Sequence, residues 1–167
     1  LDTLMPKEVS VQTKSGAWYT MRIRPYRTLD NVIEGVVITY GDITEIKKAE
    51  KITGHLAALV ESADDAIISK DLNDVIQSWN VGAEKMFGYP AAEAIGRNFS
   101  FLVPRGHTDD VPEIIKRIMQ GEHIEHFESL RLRKDGTVVP VSVTYSAIRD
   151  TNGKVIGVSK IAHDITQ

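Results

Sequence analysis

The sequence predicts an α+β fold in which one antiparallel sheet carries short helices on one face, preceded by part of a second, similar sheet. Three observations predict it. Apolar residues alternate with polar ones in runs entered through glycine turns, the pattern of half-buried strands. Between the second and third run of the later half the apolar period lengthens to three and four residues, the pattern of amphipathic helices. A block near the start of the chain also returns near its end, so part of the architecture occurs twice.

The repeat is read as follows. Lys14-Ser15-Gly16 is followed by Tyr19, Met21 and Ile23 alternating with Thr20, Arg22 and Arg24. Its counterpart, 120 residues on, is Lys134-Asp135-Gly136, followed by Val139, Val141, Val143, Tyr145 and Ala147 alternating with Pro140, Ser142, Thr144 and Ser146. Beyond a loop, Gly35-Val36 matches Gly157-Val158 and Asp42-Ile43-Thr44 matches Asp164-Ile165-Thr166, now offset by 122. The two extra residues are expected in the Arg149–Lys154 loop. Residues 1–44 then read as the closing half of one domain, 45–61 as a linker helix and 62–167 as a complete second copy, a fragment of a tandem array.

In the linker, Ile46, Ala49, Thr53, Leu56 and Val60 recur at alternating steps of three and four, with Asp42 or Thr44 as the expected N-cap. Gly54 weakens its middle by about 1 kcal/mol relative to alanine. In the second copy, Ala66–Ser69 and Val75–Trp79 flank Asp71-Leu72-Asn73-Asp74 as a hairpin. Asn80 caps a helix carrying Val81, Met86 and Phe87 that stops near Gly88, and a short turn runs from Pro90 to Gly96. Asp110 and Glu113 have capping-box spacing, with Val111, Ile114, Ile115, Ile118 and Met119 on one helical face ended by Gly121. Strands over about 124–133, 137–148 and 154–163 close the sheet.

Composition narrows the function. With 42% hydrophobic and 26% charged residues in 167, the balance is that of a globular protein. Twenty Lys and Arg against 23 Asp and Glu give a formal charge of −3, which disfavours nucleic acid as a partner. No apolar run reaches the roughly 18–20 residues that cross a bilayer, and none has signal-peptide form, so a cytoplasmic location is expected. The sequence has no cysteine, which removes disulfides, thiolate metal sites and cysteinyl cofactor adducts. It also has no Gly-x-Ser-x-Gly elbow, phosphate-binding glycine loop or His-Glu-x-x-His, so no enzyme is expected.

Six segments in order, Ala66-Ile67-Ile68, Ile76-Gln77-Ser78-Trp79-Asn80, Ala83-Glu84-Lys85-Met86-Phe87-Gly88-Tyr89, Ile95-Gly96-Arg97-Asn98, Arg133-Lys134-Asp135-Gly136 and Asp164-Ile165-Thr166, resemble a PAS domain across residues 55–167. Residues 8–50 resemble the closing half of another. Within them Trp18–Arg27 is similar to the PAS region of chemotaxis methylesterase–methyltransferase fusion proteins, and tandem PAS domains also occur in sensor histidine kinases. The resemblance implies the PAS fold, a five-stranded antiparallel sheet with short helices. It implies sensing, dimerisation or relay in place of catalysis, with a neighbouring PAS domain and an output domain as partners.

Site expectations follow. Light-sensing PAS domains hold flavin on the cysteine of Gly-x-Asn-Cys-Arg-Phe-Leu. Gly96-Arg97-Asn98-Phe99-Ser100-Phe101-Leu102 puts Phe99 at that position, so a covalent flavin adduct is excluded. Haem-binding relatives supply a helical histidine where Val111 stands, with His107 one turn upstream, so haem is disfavoured and the cofactor stays unknown. His123 and His126, near Glu122 and Glu125, lie three apart, which on a regular strand sends them to opposite faces, so no metal is expected. His55 and His163-Asp164 lack the proline of a phospho-accepting kinase motif, and Asp64-Asp65 reads as a solvated turn. Trp79, Met86, Phe87, Phe99, Phe101, Phe127 and Tyr145 are candidates to line a small apolar ligand pocket, with plain core packing the simpler reading. Glu93 is expected to pair with Lys134, because light-sensing relatives carry opposite charges there. Asp42-Ile43-Thr44 and Asp164-Ile165-Thr166 are expected to relay signals at strand-to-helix joints, with structural capping alone the simpler reading, and a homodimer is expected through the linker helix, the half-domain or both.

Overall fold

The computed structural model describes residues 5–30, 32–107 and 111–166. It divides into two compact units, Leu1–Leu56 and Ala57–Gln167. The first is a three-stranded antiparallel sheet, β1 (Lys7–Gln12), β2 (Trp18–Arg27) and β3 (Ile33–Asp42), in the order β1-β2-β3. Its register places Val9, Met21 and Tyr40 in one row and Glu8, Arg22 and Thr39 in the next, so period-two sequence becomes one apolar and one polar face. On the polar face Glu8 accepts from Arg22 Nε at 3.0 Å and from Thr20 Oγ1 at 3.1 Å. On the apolar face Val36, Ile38 and Tyr40 remain exposed.

Helix α1 (Thr44–Ser62) begins in the first unit and ends in the second, and none of its residues is buried. The closing strands of the two units obey the expectation of a repeat, but the two extra residues are not in the loop. Arg27 pairs with Ile33 and Arg149 with Val155, so the two connecting loops are equal in length. The extra residues extend β7 (Val138–Arg149), which has 12 residues against 10 in β2. Hydrogen-bonded strand pairs absorb a two-residue insertion without changing which side chains face inward, because the side-chain period is two.

The second unit runs β4 (Ala66–Asp71), β5 (Ile76–Trp79), α2 (Val81–Phe87), α3 (Ala91–Ala94), a 3-10 turn (Phe99–Leu102), α4 (Val111–Met119), β6 (Ile124–Leu132), β7 and β8 (Val155–Asp164). The five strands form one antiparallel sheet in the order β5-β4-β8-β7-β6. Asn80 caps α2 by accepting from Ala83 N–H at 2.9 Å, and Gly88, at φ +78°, closes it with an N–H to the Glu84 carbonyl at 2.8 Å. Ala66 and Ile68 of β4, Val141 and Val143 of β7 and Val158 of β8 pack against Phe87, Leu102 and Ile118 from the helical layer. Each buried aliphatic or aromatic side chain there contributes about 1.5–3 kcal/mol. The helical face expected on α4 holds for Ile114 and Ile118, whereas Met119 is exposed, because it lies in the last turn before Gly121. Asp110 of the expected capping box lies outside the described residues. The 3-10 turn at Phe99 was not expected; Asn98 caps it by accepting from Ser100 N–H at 3.0 Å.

Candidate functional site

The seven candidate pocket residues fall into separate groups. Trp79, Met86, Phe87, Phe99 and Tyr145 lie in the buried core, while Phe101 and Phe127 are half-buried against its edge. The Trp79 and Phe87 rings are 5.5 Å apart, and Trp79 Nε1 donates to the Tyr89 carbonyl at 2.9 Å. Phe127 meets Tyr145 near edge-on at 6.0 Å. Phe101 turns instead toward Tyr89, 4.9 Å away, with the Arg97 guanidinium 3.9 Å from its ring. A polar, cationic rim thus holds Phe101, since a guanidinium favours the negative face of an aromatic ring.

The core also contains charge that the sequence reading missed. Lys70, Arg131 and Lys160, at most 2% exposed, project from β4, β6 and β8. They stand 5.2, 5.5 and 3.5 Å from the Phe99 ring centre. Lys70 pairs with Asp74, and Arg131 donates to Ser129 Oγ at 2.7 Å and to the Leu130 carbonyl at 2.8 Å. Taking a cation out of water costs several kcal/mol, so these contacts and the ring faces do necessary work in keeping the charges inside. Strand parity was the available signal: Lys70 continues the inward series Ala66 and Ile68, and Lys160 stands between Val158 and Ala162.

Glu93 and Lys134 are brought together. Lys134 Nζ donates to Glu93 Oε1 at 2.8 Å and to Oε2 at 2.6 Å, tying α3 to the turn between β6 and β7. Both side chains are about half exposed. The same turn takes a second link, from Lys134 N–H to the Phe87 carbonyl at 2.9 Å.

His123 and His126 sit differently from the regular-strand argument. His126 has φ +52° inside a bulge between Ile124 and Phe127, where strict alternation lapses. His123 Nε2 lies 3.2 Å from Glu125 Oε1, and among the described residues no group of three or more His, Cys, Asp or Glu side chains could hold a metal ion.

The two Asp-Ile-Thr joints share the bond from the threonine N–H to the aspartate carboxylate and differ in the bonds around it. In the first, the Ile43 carbonyl accepts from Lys47 N–H at 3.0 Å, so Ile43 occupies the N-cap position. Asp42 Oδ1 reaches past it to accept from Thr44 N–H at 2.8 Å. The expected cap is therefore corrected: the backbone cap is Ile43, and the carboxylate comes from the residue before it, where a short acidic side chain can fold back over the first helical N–H. Thr44 Oγ1 also accepts from Trp18 N–H at 2.9 Å. In the second joint Thr166 N–H donates to Asp164 Oδ1 at 2.8 Å. Pro140 faces Ile165 as Trp18 faces Ile43, and a proline has no N–H to offer. Thr166 Oγ1 donates to Asp164 Oδ1 at 2.5 Å instead, and Arg133 Nη2 donates to Asp164 Oδ2 at 2.8 Å. The hydroxyl and N–H of Thr166, and then Arg133, hold the Asp164 carboxyl below its ordinary range. Next to it His163 Nδ1 lies 2.7 Å from Asp65 Oδ1, and that carboxylate raises the imidazole pKa.

No helix among the described residues is long and apolar enough to cross a membrane. In comparisons with known proteins, residues 54–165 match the family described as PAS fold, and residues 1–44 match one described as PAS domain. The chain is 27% identical over 125 residues to a phytochrome of Picea abies, covering 72% of this chain and 11% of the phytochrome. It thus spans about a tenth of the length of such curated relatives. A PAS domain from Colwellia psychrerythraea is 28% identical with a TM-score of 0.64, covering 69% of this chain and 98% of that one. The PAS domain of an HTR-like protein from Haloarcula marismortui is 25% identical with a TM-score of 0.63, covering 72% and 98%. With the five-stranded sheet in the order β5-β4-β8-β7-β6 and a family match over most of its length, this chain belongs to the PAS family of sensory domains.

Proposed function

We propose that the chain is a sensory or relay segment of a multidomain, cytoplasmic signalling protein of prokaryotic type, with a histidine kinase or a chemotaxis methyltransferase–methylesterase as output. In this reading residues 1–44 are the closing half of one PAS domain, 45–61 a linker helix and 62–167 a complete PAS domain. The observation that carries it is the Asp-Ile-Thr joint: the first ends a sheet and starts α1 directly, and the second ends β8 with the same 2.8 Å bond from the threonine N–H to the aspartate carboxylate. Such a joint fixes the direction of a helix to the edge of a sheet, so a change in one is felt by the other. The exposed apolar positions of α1, including Ile46 and Leu56, support a homodimer that would carry this change between two copies.

A second reading, a ligand-free dimerising spacer, draws on the dense packing of Phe87, Phe99 and Tyr145, each at most 2% exposed. Native mass spectrometry and an absorption spectrum of the purified protein separate the two. A retained small molecule supports sensing. A clean apo-mass on a stable fold, unchanged by screened metabolites, supports the spacer. Sedimentation showing a monomer at tens of micromolar would remove the homodimer from both.

A further inference from the structure

The end of α1 is clamped onto the start of α2 by the buried Asn80 and the exposed Glu61. Asn80, 2% exposed, uses its whole side-chain amide: Nδ2 donates to the Val60 carbonyl at 2.9 Å and the Asp65 carbonyl at 3.1 Å, and Oδ1 accepts from Ile67 N–H at 2.8 Å and Ala83 N–H at 2.9 Å. Glu61 Oε2 accepts from Val81 N–H at 3.0 Å. Gly82 lies so close beneath this crossing that a Cβ there would stand 2.2 Å from the Asp65 carbonyl oxygen. The last turn of α1 therefore cannot shift without loading α2.

The other end of α2 is tied to the turn between β6 and β7. Its Phe87 carbonyl accepts from Lys134 N–H at 2.9 Å, the adjacent Arg133 donates to Asp164, and Asp164 holds Thr166. Seven residues of helix span about 10 Å and resist compression through their internal hydrogen bonds. We infer that α2 is a strut that carries displacement of the linker helix to the Asp164–Thr166 joint by way of the β6–β7 turn, without passing through the sheet. This rests on the relay reading above and deepens it by naming the route. It also gives Arg133 a role as a positioning residue between turn and joint.

The test is backbone amide exchange on the purified 167-residue chain. Asn80→Asp keeps the two acceptor contacts of the cap and removes the two donors that hold Val60 and Asp65. Exchange at Lys134 and Thr166 is expected to rise about tenfold, with Ser159 in the middle of β8 unchanged. In Arg133→Gln the Thr166 amide is expected to be fast already, so that adding Asn80→Asp changes it no further while Lys134 still responds. Should Asn80→Asp not fold, Glu61→Ala, at an exposed position, tests the same end with a smaller rise. An unchanged Thr166, or acceleration of Ser159 in step with it, overturns the strut and places coupling in the sheet. Either result leaves the sensory reading standing, since that is decided by ligand retention. Coupled exchange in a protein whose output ignores the joint would keep the strut and remove the relay.

Discussion

Gly82→Ala and Gly54→Ala put the same methyl group into two helices with opposite expected signs. At Gly54, in the middle of α1, a Cβ meets nothing within 4 Å, so alanine supplies only its helix propensity. The helix gains about 1 kcal/mol. At Gly82 the same gain is available, but the Cβ would lie 2.2 Å from the Asp65 carbonyl oxygen and 2.8 Å from that of Ala63. Both obstacles are backbone, so relief requires moving the α1–β4 connection by roughly an ångström, with an overpacking cost of about 1–3 kcal/mol. That movement also disrupts the bond from Asn80 Nδ2 to the Asp65 carbonyl, a further cost of about 0.5–1.5 kcal/mol. With the propensity gain subtracted, the balance is a loss of about 0.5–3.5 kcal/mol. Urea unfolding followed by tryptophan fluorescence reads Gly82→Ala through Trp79 in the core, and far-UV circular dichroism with amide exchange reads Gly54→Ala in α1. A Gly82→Ala midpoint equal to or above that of the unmodified protein would refute the close-approach argument, since alanine would then have been accepted without displacement.

Further substitutions test the second joint and the ion pairs of the domain. Replacing Asp164 and Thr166 with alanine should cost about the 0.5–2 kcal/mol of a lost cap; in the full-length protein, regulated output that stays normally responsive despite this loss would leave capping as their whole role. Lys134→Ala should lower stability by only about 0–1 kcal/mol, because its pair with Glu93 is half exposed, and a double-mutant cycle with Glu93→Ala would show whether even that is coupling energy. The pair of His163 with Asp65 should make stability pH-dependent with a definite sign. The folded pKa is raised above the ordinary 6.5, so the contribution is complete below that value and is lost as pH rises through the folded pKa. An imidazole titration by NMR should move down in Asp65→Asn, and an unmoved curve would show that Asp65 is not its cause. Asp164 runs the other way: its carboxyl is held below 3.8, so its stabilisation is present above that value and lost as pH falls through the lower folded pKa.

Wherever one face of an element is buried, the sequence by itself determined the outcome. Alternation from Val139 to Tyr145 specified a strand and its inward face, because a one-residue slip would turn the apolar set to water. Asn80 and Gly88 marked the ends of α2, since capping chemistry is local. The same parity would have placed Lys70 and Lys160 inside, had inward position been allowed to outweigh their charge. Tertiary structure alone decided what depends on meetings across the chain. No local pattern shows that Asn80 satisfies the end of α1 as well as the start of α2, that the β6 bulge at His126 suspends alternation, or that Pro140 denies Thr166 the N–H that Trp18 gives Thr44. It also turned Phe101 from the core toward Tyr89 and Arg97, and put the two extra residues of the second copy into β7. The physical reason is one of range. Strand period and caps are settled among residues a few positions apart, whereas a buried amide or a cation over a ring takes its energy from partners that only the folded chain brings within reach.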